Sequence, residues 1–169
     1  FAGRVEALKG IDIAVRAFEK LPDKKLYVAG NGPMMEEMQR YVREHHMENV
    51  KFLGYLQKDE MSEKFYQAKA VIMTSQCYEA FAMTIAEAYS YGVPVIAGRV
   101  GNMDGMVQDG ITGVKFTYNS AEDLADKISA FDAMDLSVLK KNARAFYAER
   151  LRPEDNYQKL IRIYEDISK

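Results

Sequence analysis

Cysteine is nearly missing from this 169-residue chain: Cys77 stands alone. A lone thiol excludes an internal disulfide and every metal site built from several thiolates, and it fits a reducing compartment. No apolar run approaches the ~20 residues that span a bilayer, and no leader of the secretory kind opens the chain, so neither a membrane helix nor a signal peptide is expected. A surplus of one charge is missing too. Lysine and arginine total 23 against 25 acids, a net charge of -2, with no basic block and no acidic tail. A nucleic-acid surface would want the opposite, so none is expected. Repeats, low-complexity segments and flexible linkers are absent as well. What remains is 48% apolar, which at this length supplies one good core and not two. The expectation is a single domain over 1–169.

Strand-like and helix-like spacings alternate along the chain. Phe1 to Arg4 reads as a strand tail. Ile11, Ala14, Val15, Phe18 and Leu21 recur at helical spacing until Pro22. Short β-rich runs follow at 25–30, 49–54, 70–74, 93–97 and 113–117. Helices are predicted from Pro33 through Val42, from Glu60 to Ala68 with Asp59 as cap, and from Ala82 to Tyr91. A glycine-spaced loop (Gly98, Gly101, Gly105) then leads to a short helical turn. Ser120 and Asp123 open a further helix in capping-box fashion, and the spacing predicts two more, Leu136–Ala148 and Pro153–Ser168. Such alternation predicts an α/β fold, a parallel sheet with helices on both faces. Met34, Met35 and Met38 fall at core-facing positions, where methionine is an adaptable filler.

Ser75 to Ala97 organises the rest. It runs from one β-rich stretch to the next through a segment free of glycine and proline between Ala80 and Tyr91, which Gly92 stops. Glu79 then lies on the loop leaving a strand, and Glu87 inside the following helix. Both are predicted to face the crevice beyond the carboxyl ends of the strands. Each acid alone reads as an ordinary solvated carboxylate. Lys9 is odder, because it sits at a helix entrance, where the macrodipole disfavours a cation unless an anion shares the place. His45 and His46 read as surface residues near a helix end. Cys77 has no local histidine to activate it. Gly30-Asn31-Gly32-Pro33 lacks the third glycine and downstream acid of a dinucleotide fingerprint, so a nicotinamide site is rejected. No acidic cluster has the spacing for a divalent ion, and neither metal nor cofactor is expected.

The run Glu79-x-Phe81-x5-Glu87-Ala88-x3-Gly92-x-Pro94-Val95-Ile96-Ala97 closely resembles the E-x7-E segment of the retaining glycosyltransferases of GT-B fold, family 4 (glycosyl transferases group 1). Gly3-Arg4-x4-Lys9-Gly10 resembles the start of that family's C-terminal domain, and Gly30-x-Gly32-Pro33 its G-x-G-P turn. The resemblance implies a Rossmann-like parallel sheet of about six strands, the donor-binding C-terminal half of a longer enzyme. The N-terminal acceptor domain would be absent, and the chain by itself would be inactive or nearly so.

By the same resemblance Arg4 and Lys9 clamp the diphosphate of a nucleotide-sugar and steady the leaving group. Glu79 contacts the transferred sugar, as part of the catalytic set without being an assigned nucleophile. Glu87 accepts from the ribose, and backbone N–H groups of Ala82, Met83 and Thr84 receive phosphate or sugar. Tyr55 and Leu56 border the base, Gly30 and Gly32 line the donor, and Gly101 and Asn102 lie near its sugar. The implied acceptor is a glycan or lipid-linked hydroxyl in polysaccharide assembly, in the cytoplasm or peripheral at the inner membrane face, with no membrane contact from this domain.

Three positions depart from the family pattern. Ala82 stands where glycine is usual, Asn102 replaces the second glycine of a G-G-x-x-E segment, and Gly105 replaces its acid, with Asp104 one place earlier as a stand-in. These leave room for a non-catalytic relative that only binds a nucleotide or a partner. A nucleotide-sugar epimerase on the same fold is a further alternative. A receiver-like signalling domain would need an acidic cluster at strand ends, and none is present.

Overall fold

A computed structural model describes residues 1–167. Among the described residues five strands form, all paired in parallel: β1 (Leu26–Ala29) with β2 (Val50–Gly54), and β3 (Val71–Met73) with β4 (Val95–Gly98), which pairs in turn with β5 (Gly113–Phe116). The expected sheet of about six strands is therefore five strands in two groups. The missing member is the Phe1–Arg4 stretch, which contributes one parallel bridge, Ala2 to Ala29. Its ladder stops at Gly3 because the chain there turns to follow the next loop. Val5 gives its N–H to the Asn31 carbonyl and takes the Met34 N–H, both at 3.0 Å.

β3 and β4 are buried at every position, as apolar strands covered on both faces must be. Two clusters of buried side chains supply those covers. One gathers Ile11, Val15 and Phe18 of α1 (Ile11–Glu19), Met38 of α2 (Met35–Glu44), and Leu124, Ile128 and Phe131 of α6 (Ala121–Phe131). The other gathers Phe65 of α3 (Lys58–Gln67), Ile85 and Tyr89 of α4 (Met83–Ser90), Met103 and Met106 of α5 (Gly101–Met106), and Ala143 and Phe146 of α7 (Leu136–Arg150). Met38 is buried, while Met34 and Met35 pack half-buried against the first cluster. Burial raises the Tyr89 hydroxyl to about 12 even though Thr112 bonds it.

Helix starts follow local chemistry. Ser120 Oγ accepts the Asp123 N–H, the cap its sequence predicts. α3 begins earlier than expected: Gln57, not Asp59, is its cap residue, because the Glu60 carboxylate reaches back to the Gln57 N–H at 2.7 Å. The glycine-spaced segment after β4 is already helical from Gly101. Burying Met103 and Met106 outweighs the roughly 1 kcal/mol that each glycine costs a helix. α8 (Pro153–Ile167) buries no residue, so the apolar side formed by Tyr157, Leu160 and Ile167 is exposed; the predicted terminus Ser168 lies outside the described residues. Among the described residues no helix is long and apolar enough to cross a membrane.

Candidate functional site

The site grows from the carboxyl end of β3. Thr74 and Ser75 follow the strand directly and are both buried. Thr74 Oγ1 donates to the Lys9 carbonyl at 2.9 Å, and the Gln76 N–H donates to the Leu8 carbonyl at 2.8 Å. These bonds fasten the short 3-10 turn Ala7–Lys9 to the strand end. Gly10 makes the fit possible: its φ is +64°, and a Cβ there would stand 2.1 Å from the Thr74 carbonyl oxygen. Lys9 is thus held two residues ahead of α1, over the mouth of β3.

Two donors converge on one carboxylate oxygen. Lys9 Nζ forms a close ion pair with Glu79 Oε1, and Ser75 Oγ donates to the same atom at 2.9 Å. Burial pushes the Glu79 carboxyl up. The bonds from Lys9 and Ser75, with the charge of Lys9, outweigh it and leave the group below the ordinary carboxylate range. Glu79 is therefore ionised at neutral pH. Around this pair lies a cavity of about 280 Å³ bordered by Gly3, Lys9, Thr74, Ser75, Glu79, Phe81, Ala82, Met83 and Thr84. Its floor is the start of α4, whose cap residue Ala82 offers no side-chain partner to the helix end.

The cavity brings together Lys9, Glu79, Ala82, Met83 and Thr84 among the residues singled out by sequence. One expected donor is already engaged, since the Met83 N–H is turned onto the Phe81 carbonyl at 2.9 Å. The other residues lie outside the cavity's border. Arg4 follows the bordering Gly3, but its side chain is 72% exposed and pairs with Glu6 at 3.2 Å. Glu87 is on α4 and exposed. Gly30 and Gly32 pack under the Gly3–Val5 backbone, where a Cβ would stand 1.9 Å from the Gly3 oxygen or 2.3 Å from the Val5 oxygen. Tyr55 is 71% exposed beyond β2, with Leu56 half-buried beside it. Asn102 donates to the Ala80 carbonyl at 2.6 Å, and Gly101 lies against Tyr78. Asp104 is committed elsewhere, to Lys115 at 2.9 Å.

Sequence reasoning missed Thr74 and Ser75. The signal was there: two hydroxyl residues placed directly after an apolar strand of an α/β sheet. A second cavity, about 470 Å³, opens between β1 and β3. Leu26, Phe65, Val71, Ile72 and Phe131 make it mainly apolar, and of its charged residues Lys24 is paired with Asp23 at 2.7 Å and with Asp132 at 2.5 Å.

The sequence profile of the glycosyl transferases group 1 matches residues 1–137. The chain belongs to this family. It is similar to the sulfoquinovosyl transferase SQD2 of Arabidopsis thaliana, with 29% identity over 84% of this chain and 28% of the relative. Its fold matches Anabaena HepE, a crystal structure in complex with UDP, at TM-score 0.89 and 23% identity, covering 98% of this chain and 47% of the other. It also matches the C-terminal domain of a glycosyl transferase group 1 protein, LpcC of Francisella tularensis, at TM-score 0.78 and 20% identity, over 89% of this chain and 84% of that domain. The group 1 chain thus has the Rossmann-like architecture of a GT-B C-terminal domain. It spans less than half the length of the first three curated relatives it matches, 28%, 45% and 48%.

Proposed function

We propose that this chain is the donor-binding unit of a retaining glycosyltransferase of family-4 type, taking a nucleotide-diphosphate sugar without a metal. The observation that carries the reading is the Lys9–Glu79–Ser75 cluster set against the start of α4. A diphosphate brings the negative charge that a cation and a helix amino end both favour. Lys9 would turn part of its charge onto the diphosphate and neutralise the leaving group. Glu79, kept ionised, would accept from hydroxyls of the sugar through Oε2, since both protein bonds fall on Oε1.

In the transfer, the bond from the anomeric carbon to the phosphate oxygen breaks as the acceptor oxygen bonds the same face. The acceptor proton passes to the departing phosphate. Arg4 would swing from Glu6 to the diphosphate, Glu87 would meet the ribose, and Tyr55 and Leu56 the base. The acceptor, a glycan or lipid-linked hydroxyl at the cytoplasmic side, would be held by polypeptide beyond this chain, so the chain alone would turn over little or nothing.

The test is calorimetry with UDP, GDP and ADP on the full polypeptide that carries this chain. One nucleoside diphosphate is expected to bind, and Lys9→Ala to weaken it about tenfold or more, the factor that 1.4 kcal/mol represents. Equal affinity in the variant, or no binding by any of the three, overturns the proposal. A binding-only relative is the second reading, favoured by Asp104 being tied to Lys115. In that case no transfer would be found for Glu79→Gln to abolish. Sugar interconversion without an acceptor would instead mark an epimerase.

A further inference from the structure

The residues on either side of Glu79 are each met from outside their own loop by one of two consecutive residues of α5. Asn102 Nδ2 donates to the Ala80 carbonyl at 2.6 Å. On the other side of Glu79, the Tyr78 ring and Cα lie 2.9 and 3.3 Å from where a Cβ on Gly101 would be, so Tyr78 rests on the bare backbone there. α5 is itself firmly seated, because Met103 is wholly buried and Met106 nearly so. It leaves β4, the neighbour of β3, and its first residues therefore stand beside the loop that β3 feeds. The near end of that loop is tied at Gln76, whose carbonyl accepts from the Tyr118 hydroxyl at 3.0 Å. The far end, at Ala80, is tied by Asn102.

We propose that Asn102 is a positioning residue that fixes the Ala80 carbonyl and, through it, the placement of the Glu79 carboxylate between Lys9 and α4. This rests on the reading of the site given above. Its consequence is specificity for the glycosyl part of the donor: Lys9 meets the diphosphate whatever the loop does, whereas Glu79 meets the sugar only if the loop is held. A glycine at 102 could not make the bond, so the strap depends on the asparagine side chain.

The test compares Asn102→Ala with Asn102→Asp, using UDP and UDP-glucose as probes on the full polypeptide. Aspartate in the first turn of α5 suits the helix start but has no N–H to give Ala80. Both variants are expected to bind UDP within about twofold of the parent and to bind UDP-glucose about 3- to 10-fold more weakly, the range expected for one hydrogen bond. Asn102→Gln, which keeps the donor group, should recover part of the loss. Amide exchange at Glu79–Phe81 should quicken in the alanine and aspartate variants with no ligand present. An aspartate variant that behaves like the parent would reduce Asn102 to a helix-start residue and overturn the proposal. Equal weakening of UDP and UDP-glucose would overturn it as well. If the parent binds GDP or ADP in place of UDP, the same comparison is made with that diphosphate and its glucose conjugate; if it binds none of the three, the reading of the site falls, and the exchange measurement still decides the strap.

Discussion

Two loops leave the carboxyl ends of parallel strands and close on the same Gly3–Lys9 segment, and they do so by opposite means. The Gly30–Pro33 turn after β1 uses backbone alone: Gly30 gives its N–H to Gly54 at 2.7 Å, Asn31 takes that of Val5, and Val5 takes that of Met34. The 75–82 loop after β3 uses side chains: Ser75 and Lys9 meet on Glu79, and Asn102 meets Ala80. The first is a clasp that cannot change without moving the fold. The second is an arrangement of charges that a ligand can enter and reorder. The glycine-rich turn is packed on protein backbone, and the cation–carboxylate pair lies at the loop without glycine.

The sharpest way to break this contrast is Gly30→Ala. Gly30 sits at φ +132°, and a Cβ would come 1.9 Å from the Gly3 oxygen, so strain and overlap act together. The expected loss is about 3 kcal/mol or more in urea unfolding. A loss under about 1 kcal/mol would mean that the clasp gives way easily and the contrast is false.

Lys9→Ala should cost less, about 1–2 kcal/mol, by leaving the mostly buried Glu79 carboxylate with Ser75 alone. The pH dependence gives this pair its own signature. Because the folded carboxyl titrates below its ordinary 4.5, the ionised form is favoured by folding. Its contribution is complete above that ordinary value and disappears as the pH falls through the lowered one. The stability gap between the parent and Glu79→Gln should therefore be constant from pH 8 to 6 and shrink toward pH 3. A gap that grows on acidification would contradict the ion pair.

α4, β3 and β4 were legible because periodicity and burial agree in them: α4 takes up the apolar spacing seen between Ala82 and Tyr91, and the all-apolar β3 and β4 are fully buried. Failures have local causes. Spacing showed the glycines of α5 as breakers, since it carries no record of how deeply Met103 and Met106 are buried. Spacing also could not show that the atoms beside Gly30 and Gly32 belong to Gly3 and Val5, which is read from the fold. Ser75 was passed over because its partner Glu79 is reached by a loop whose course sequence does not fix. Lys9, by contrast, drew notice through electrostatics, a cation at a helix entrance, and through the resemblance of its segment, and the structure pairs it with Glu79.

Ser75→Ala probes the side-chain loop more gently. It removes one donor from a carboxylate that keeps Lys9, and the expected cost is about 1 kcal/mol in unfolding, with a visible upward move of the Glu79 titration by carboxyl NMR. An unmoved titration would show that Lys9 alone sets that group.

The smallest effect on stability belongs to Tyr55→Ala, and it asks whether the clasp side of the molecule takes any part in binding. Gly54, at φ +70°, turns the chain out of β2 and leaves the Tyr55 ring 71% exposed, so its removal should change unfolding by no more than about 0.5 kcal/mol. Stacking of a base on an aromatic ring contributes about 1–3 kcal/mol. If the base lies there, UDP should bind about fivefold or more weakly to the variant while inorganic diphosphate, which has no base, competes as before. Unchanged UDP affinity would confine the working site to the β3 side, and the two loops would then differ in function as completely as they differ in construction.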